Sequence, residues 1–412
     1  MKIYLVGGAV RDHLLKLPVK DRDWVVVGAS PEEMLAQHFV AVGRDFPVFL
    51  HPKTKEEYAL ARTERKSGKG YTGFECFSSA EVSLEEDLLR RDLSINAIAQ
   101  DEQGNIIDPY HGQQDLQTRT LRHVSPAFRE DPLRILRVSR FAARFSHLGF
   151  HIADETMVLM KQMTTDDELQ YLSAERVWSE TQRALCTKNP ARFFEVLRSC
   201  GALEKLFPEI DCLFGVPQPE AHHPEIDTGL HTLMSLTQAA QLSNCPIIRF
   251  AVLTHDLGKG NTPPQDWPQH IGHEERSVAL IETLAQRLRV PKNYSKLAKQ
   301  VARYHTHCHR ALSLKPATLV KTLENLNAYR QRENLDKFLI ACEADARGRR
   351  GFEERPYPQA QYFVDALTAS NQIDTQALIN AGYSGKKLGD AIHQQRVGAV
   401  KNMRDNNHDA TE

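Results

Sequence analysis

Every strand-length apolar run in this chain falls before about residue 126, and helical periodicity then continues to the end of its 412 residues. That order prescribes an α+β chain: one small mixed sheet with its helices over 1–125, then all-α structure. KIYLV, DWVVVG, FPVFL and EYALAR are the candidate strands, each bounded by glycine, proline or charge. SPEE at 30–33 is a capping box with Pro31 at the first helical position, so a helix starts directly after DWVVVG. AIAQD and NIIDP flank EQG and predict a hairpin. A chain this long exceeds what one hydrophobic core usually spans, so further division is expected. FGVPQPEAHHPEID, 214–227, has three prolines and little periodicity, and is expected to link two helical units. The resulting segments are 1–125, 126–227, 228–345 and 346–412, the last helical with a frayed polar end, KNMRDNNHDATE.

Composition narrows the class. Hydrophobic content of 41% and charged content of 25% are those of an ordinary soluble protein. A formal net charge of -1 provides no overall basic field, so any nucleic-acid partner must be held by local patches. Seven cysteines without a CxxC pair suit reduced thiols and a cytoplasmic location. The N-terminal apolar stretch meets Arg11 too early for a signal-peptide core, and no 18-residue apolar run exists, so neither secretion nor a membrane span is expected.

After the strand IYLV come Gly7 and Gly8, then AVRDHLL, which reads as a helix start. Paired glycines at such a turn let backbone N–H groups approach an anion, and the helix N-terminus adds a favourable dipole. Arg11, one turn in, can reach a phosphate. Asp21 and Asp23 stand two apart at the mouth of the apolar run WVVVG, where charges need a reason. As i and i+2 of a strand they would leave from one face and jointly hold Mg²⁺ ions gripping a triphosphate. The alternative is a solvated strand edge.

GGAVRD followed by KDRDWVVVG resembles the signature of the polymerase-β-like nucleotidyltransferases, and specifically the bacterial class II tRNA nucleotidyltransferases that build the 3'-terminal CCA of tRNA. RRDLSINAIA, 90–99, resembles the ribose-recognising segment of that family; DPYHGQQDLQTRTLR, 108–122, its head-to-neck segment; EDPLRILRVSR, 130–140, its base-reading segment; and SAERVWSE, 173–180, the helix bracing the last. The resemblance implies a polymerase-β-like head over 1–125, a helical neck and body over 126–227, and the substrates tRNA, CTP and ATP. It further implies nucleotide contacts for Gly8, Arg11, Arg91, Arg137 and Arg140, with Asp92 and Asn96 completing the ribose segment. Two positions depart from the family: Lys16, where glycine is common, and His111, where Asn or Gly is. GKGYTGF, 68–74, is glycine-rich and corresponds to a loop that helps position the nucleotide.

The residues of 130–145 support a template-free choice of base. Arg134, Arg137, Arg140 and Arg144 share an arc of about 120° on a helix, beside an apolar arc of Ile135, Val138, Ala142 and Phe145, so the arginines are expected to face outward. Asp131 can accept from the exocyclic amino group common to cytosine and adenine, while Arg134 donates to ring acceptors, a role the family also implies. A solvated cationic face is the plainer reading of the row.

Nine of the 18 histidines lie between 222 and 309, where length alone would place about four. IIRFAVLTHDLGKG reads as an apolar helix ending at His255 and Asp256, with Gly258-Lys259-Gly260 as its stop. A buried His-Asp pair is costly unless paired or metal-bound. With His231 upstream and Asp345 downstream, the order resembles the metal-dependent HD phosphohydrolases, whose ligands run His, His-Asp, Asp. His273 and His305 would join as ligands of a second metal. Imidazole donors favour Ni²⁺, Mn²⁺ or Fe over Mg²⁺. A metal-bound water there would attack a phosphomonoester or a 2',3'-cyclic phosphate, with Lys259 neutralising developing charge. His270, His307 and His309 are expected outside the ligand set.

CCA addition combined with a phosphohydrolase (2',3'-cyclic phosphodiesterase, 2'-nucleotidase or phosphatase) is therefore the leading expectation. Its rivals are a poly(A) polymerase and an HD phosphatase with an inactive tRNA-binding head. The oligomeric state is open between monomer and homodimer.

Overall fold

β-branched and aromatic residues cluster in the early apolar runs, and these become the strands of one sheet. A computed structural model describes residues 1–42, 48–66, 74–78, 80–166, 168–221 and 223–409. The strands are β1 (Lys2–Val6), β2 (Asp23–Val27), β3 (Val40–Val42), β4 (Val48–Leu50), β5 (Glu57–Leu60), β6 (Arg62–Lys66), β7 (Phe74–Ser78), β8 (Ala99–Gln100) and β9 (Ile106–Ile107). Seven form a mixed sheet in the order β3-β4-β5-β2-β1-β8-β9, in which only β2 and β5 run parallel, while β6 and β7 pair separately. The expected EQG hairpin is present as β8 and β9.

Period-2 alternation gives this sheet two apolar faces. Val25 packs with Val6, Leu84, Leu88 and Ala99, whereas Val26 packs with Met34, Phe39, Phe49, Tyr58 and Leu60. The helices of this part are α1 (Gly8–Leu14), α2 (Pro31–Ala36), α3 (Leu84–Leu89), α4 (Gly112–Gln117), α5 (Leu133–Phe145), α6 (Asp154–Thr165), α7 (Ala174–Leu185), α8 (Ala191–Ser199) and α9 (Ala202–Leu206). α2 starts at the expected capping box, with Ser30 and Glu33 bonding each other's backbone N–H. α5 buries Ile135, Leu136, Val138, Phe141 and Phe145 and packs on α7 and α8.

The change at 125/126 separates sheet from helices but not one compact body from another. Residues 1–207 form one unit and 208–412 a second. One short strand does occur beyond 126: β11 (His151–Ile152) pairs in parallel with β10 (Thr120–Leu121), across the expected boundary. Two residues are too few for a periodic signal. The departures at Lys16 and His111 have a backbone counterpart, since both take a left-handed φ, 56° and 58°, the region that favours glycine or asparagine.

The second unit contains α10 (Pro208–Asp211), α11 (Thr228–Leu242), α12 (Pro246–Thr254), α13 (His273–Arg287), α14 (Lys292–His309), α15 (Pro316–Asn325), α16 (Arg332–Arg347), α17 (Pro358–Ser370), α18 (Thr375–Asn380) and α19 (Gly385–Asp409). Of the end expected to fray, KNMRDNNHDATE, residues through Asp409 continue α19 and the last three lie outside the described residues; earlier on this helix Val400 is buried and both His393 and Arg396 engage Glu324. Among the described residues no helix is long and apolar enough to cross a membrane.

Two candidate active sites

In the first unit the turn between β1 and α1 needs glycine on two counts. Gly7 holds φ 67°, and a Cβ there would come 2.8 Å from Arg91 Nη1. Arg11 is almost fully buried; its Nη1 donates to Asn96 Oδ1 at 2.5 Å and its Nη2 to Asp12 Oδ1 at 2.8 Å. Desolvation, resisted by the Asp12 charge, brings the guanidinium down to about 10, so it stays a cation at neutral pH.

Asp23 is the first residue of β2 and pairs in register with Val6, at the sheet end beside Gly7. Asp21 lies in the preceding loop and is exposed, so the two carboxylates do not form the same-face strand pair that the sequence suggests. The strand starts two residues later than the charge pattern implied. They still sense each other: desolvation raises the Asp23 carboxyl above its usual range, Arg91 opposes this, and the Asp21 charge adds to it.

The α5 arginines are not a solvated outward face. Arg134 and Arg140 are buried, and each member of the row meets an acceptor from elsewhere in the unit. Arg134 donates to the carbonyls of Ala127 (2.8 Å) and Arg90 (2.5 Å); Arg137 Nε bonds Asp92 Oδ2 (2.7 Å); Arg140 Nε bonds Glu180 Oε2 (2.5 Å); and Arg144 Nη2 bonds Asp12 Oδ2 (2.7 Å). Burial alone would raise Asp92, but Arg137 and the Asn96 amide hold it far below the usual carboxylate range. Asp131 receives Leu133 N–H on one oxygen and Arg176 Nη2, 2.7 Å away, on the other.

One cleft of about 530 Å³ is lined by every residue expected at this site except Asp21. Arg176 and Arg183 of α7 also line it and were not anticipated, although Arg176 lies within the bracing segment. Arg91 Nε is buried without a hydrogen-bond partner, the condition of a donor suited to an incoming anion. The glycine-rich stretch 68–74 lies, apart from Phe74, outside the described residues.

In the second unit five helices converge on a set of donors, all buried except the half-buried His273. His231 comes from α11, His255 and Asp256 from the end of α12, His273 from the start of α13, His305 from α14 and Asp345 from α16. Gly258 permits part of this: a Cβ there would lie 2.2 Å from the His273 carbonyl oxygen, so only glycine lets the turn after Asp256 close on α13. Each imidazole has its Nδ1 against an acceptor: Val252 O for His255 (2.7 Å), His270 O for His273 (3.0 Å), Ala302 O for His305 (3.0 Å) and Gly348 O for His231 (3.1 Å). Carbonyls only accept, so these Nδ1 atoms carry the proton and, in neutral rings, Nε2 turns a lone pair inward.

Those lone pairs face other acceptors. His273 Nε2 and His305 Nε2 stand 3.4 Å apart, with Asp256 Oδ1 at 3.4 and 3.6 Å from them. His231 Nε2 is 2.9 Å from Asp345 Oδ1, and His255 Nε2 is 3.2 Å from Asp256 Oδ2 and 3.5 Å from Asp345 Oδ1. His255 Nε2 and Asp256 Oδ1 lack any hydrogen-bond partner despite these short separations. Acceptors crowded together in a dry site repel unless a cation lies between them, so the donor set fits one or two metal ions. The two buried carboxylates call for a positive charge beside them: burial would lower His255, yet Asp256 and Asp345 raise it to about 10 and are themselves held well below the usual carboxylate range, so either a second proton on this ring or a metal ion displacing that proton neutralises the pair.

The segment 214–227 is not a linker. It belongs to the second unit, with Pro217 bridged to Asp227, and places side chains on the histidine cluster. Glu225 Oε1 lies 3.0 Å from both His223 Nδ1 and His231 Nδ1, and Gln218 Oε1 accepts from Lys259 Nζ at 2.6 Å. Lys259 Nζ also reaches Asp256 Oδ2 at 2.7 Å. His223 and Glu225 escaped the sequence reading because a proline-rich stretch without periodicity does not show where it folds. Of the three histidines expected outside the ligand set, His270 is buried against Pro217 O, His307 bonds Thr322, and His309 Nε2 contacts Asp345 Oδ2 at 2.6 Å.

Comparison with known proteins bears on both units. The family described as the poly A polymerase head domain matches residues 3–122, and the probable RNA and SrmB-binding site of polymerase A matches 149–213. A multifunctional CCA protein of Thioalkalivibrio sulfidiphilus (strain HL-EbGR7) is 60% identical over 404 residues, 98% of this chain and 99% of its own length. Another from Hahella chejuensis (strain KCTC 2396) is 57% identical over 407 residues, 99% of this chain and 96% of its own. Among solved structures, a Bacillus stearothermophilus CCA-adding enzyme in complex with CTP superposes with a TM-score of 0.64 at 23% identity, covering 97% of this chain and 89% of the other. A Thermotoga maritima CCA-adding enzyme complexed with tRNA gives 0.62 at 20% identity over 97% and 87%. At these identities the structures speak for the fold.

Proposed function

The chain belongs to the family of the multifunctional CCA proteins and is a CCA-adding tRNA nucleotidyltransferase; from that premise we propose the roles of its two sites. In the first, the 3'-hydroxyl oxygen of tRNA bonds to the α-phosphorus of CTP or ATP, the bond from that phosphorus to the bridging oxygen breaks, pyrophosphate leaves, and the hydroxyl proton passes to solvent. Gly8 and Arg11 receive the triphosphate, Asp92 and Asn96 the ribose, and Arg91, Arg137 and Arg140 the phosphates. Asp21 and Asp23 would hold Mg²⁺, which when bound activates the hydroxyl and steadies the leaving group. The convergence of these residues on one cleft carries the reading. Extension of tRNA lacking CCA, with CTP and ATP supplied and the products sequenced, tests it. A poly(A) product would restore the rival reading, whose family matches end at residue 213 whereas the multifunctional CCA relatives match over both units.

Base choice falls to Asp131 and Arg134. Arg176 anchors Asp131, whose oxygens keep free lone pairs for the amino group of cytosine or adenine. Guanine and uracil lack that donor at the corresponding edge and leave the carboxylate unpaired, a penalty of about 1–3 kcal/mol. Asp131→Ala should therefore lower the kcat/KM ratios of CTP over UTP and of ATP over GTP by about that amount, or stall addition; unchanged ratios at full rate would refute the assignment.

The second site is proposed as a metal-dependent phosphohydrolase acting on terminal or 2',3'-cyclic phosphates, with His231, His255, Asp256 and Asp345 holding Ni²⁺ or another transition metal and His273 and His305 a second ion. Removing such a phosphate regenerates the hydroxyl the first site needs. We assign the work accordingly: 1–125 as catalytic head, 126–227 as neck and body extending into the second unit, 228–345 as hydrolase, and 346–412 as helical support. Glu225 orients His231 through Nδ1. Glu225→Gln should weaken Ni²⁺ or Mn²⁺ binding by about 10–100-fold in calorimetric titration while CCA addition is unchanged, as expected for a carboxylate behind a metal-binding imidazole.

A further inference from the structure

A second pocket of the first unit, of about 670 Å³, opens beside the nucleotide cleft and shares Arg140, Arg144 and Arg183 with it. Lys20, His147 and Lys188 complete its basic lining, Gln182 and Thr187 add neutral polar groups, and no carboxylate is among the lining residues. Six basic side chains around one cavity need a ligand or the full attention of water. Three of them are paired with acids outside the pocket, Arg140 and Arg183 with Glu180 and Arg144 with Asp12. Lys20 and Lys188 are exposed and form no ion pair among the described residues. The local field is felt within the pocket, where desolvation first and the Lys188 charge second lower the His147 imidazole.

The direction of α5 says which part of a substrate lies here. Asp131 and Arg134, the base-reading pair, stand at its N-terminal end, and Arg144 is ten residues further on. At 1.5 Å per residue that is about 15 Å, roughly the span of an extended nucleoside triphosphate from base to terminal phosphate. The shared arginines Arg140 and Arg144 therefore fall at the phosphate end, and Lys20 immediately precedes Asp21. A single-stranded RNA end would instead want an aromatic platform, but Phe145, the pocket's one phenyl ring, is fully buried.

Building on the CCA-adding reading, we propose that this pocket, through Lys20, Arg144, His147 and Lys188, binds the pyrophosphate released by nucleotidyl transfer and is its route of departure. Four negative charges leave the cleft in one small product, and cations aligned beyond Arg140 receive them.

The test is a full-length Lys20→Glu, Lys188→Glu double variant, both positions being exposed and outside the catalytic set, with Lys20→Ala, Lys188→Ala as the milder form. Pyrophosphate is the probe, measured as a product inhibitor against CTP and as the substrate of the reverse, pyrophosphorolytic reaction. Its Ki and its KM should both rise by about tenfold, what losing charge-assisted contacts of ordinary strength gives, while the KM for tRNA stays within about twofold. Unchanged pyrophosphate constants overturn the proposal, as does a KM for tRNA that rises as much as the pyrophosphate Ki, which would make the pocket an RNA site. A parent enzyme that adds no C or A would sink the CCA reading itself, a result distinct from either.

Discussion

A double Asp21→Ala, Asp23→Ala variant should lose CCA addition by at least about 10³-fold in rate, because ions that neutralise a developing leaving group and activate a hydroxyl supply several kcal/mol, and each 1.36 kcal/mol is tenfold. Collapse of the fold would not explain such a loss. Both aspartates are exposed, Asp21 in a loop and Asp23 at the first position of β2, and the register of that strand with β1 and β5 is set by backbone bonds and by Val25 and Val26. Asp23→Asn alone, which keeps the shape and removes the charge, should reproduce most of the defect. Single-turnover incorporation of C and A into tRNA lacking CCA is the measurement, with phosphohydrolysis by the second unit as an internal control that should persist. Extension at the parental rate would show that the carboxylates are only a charged strand edge.

What the sequence disclosed, and what it hid, divides along contact distance. The GG turn, the Ser30 capping box and the EQG hairpin are local devices whose partners lie within a few residues, and all three form. The α5 arginine row was legible as a row, but its environment was not: Asp92, Glu180 and Asp12 lie 45, 40 and 132 residues from their arginines. A helical wheel knows nothing of those acids, and without them the row looked solvated. Metal-type residues in the second unit were visible from histidine enrichment and chain order, since ligand chemistry leaves few alternatives. Glu225 and His223 stayed hidden in a stretch that has turn chemistry and no period. Lys16 and His111 carry the opposite lesson, as sequence departures that acquire meaning from a left-handed φ.

Asp256→Asn should abolish phosphohydrolysis and empty the histidine cluster of metal while leaving CCA addition within about twofold. The substitution preserves volume and removes one of the two buried carboxylates facing His255 Nε2, so it tests charge rather than packing. An amide nitrogen in the place of Oδ1, facing His273 Nε2 and His305 Nε2, would put a donor where a cation is wanted, and one in the place of Oδ2 would oppose Lys259 Nζ. His255→Ala makes the same point more harshly, since that ring is fully buried and its loss also opens a cavity. Metal content by mass spectrometry should fall to the level of chelator-treated protein, and hydrolysis of a 2',3'-cyclic phosphate should drop by about 10³-fold or more, in proportion to the several kcal/mol a metal contributes. Chelation followed by Ni²⁺ or Mn²⁺ should restore hydrolysis in the parent but not in the variant. Retained metal with retained hydrolysis would remove the second site from the proposal, and loss of nucleotide addition alongside hydrolysis would mean that the two units do not work as separate catalysts.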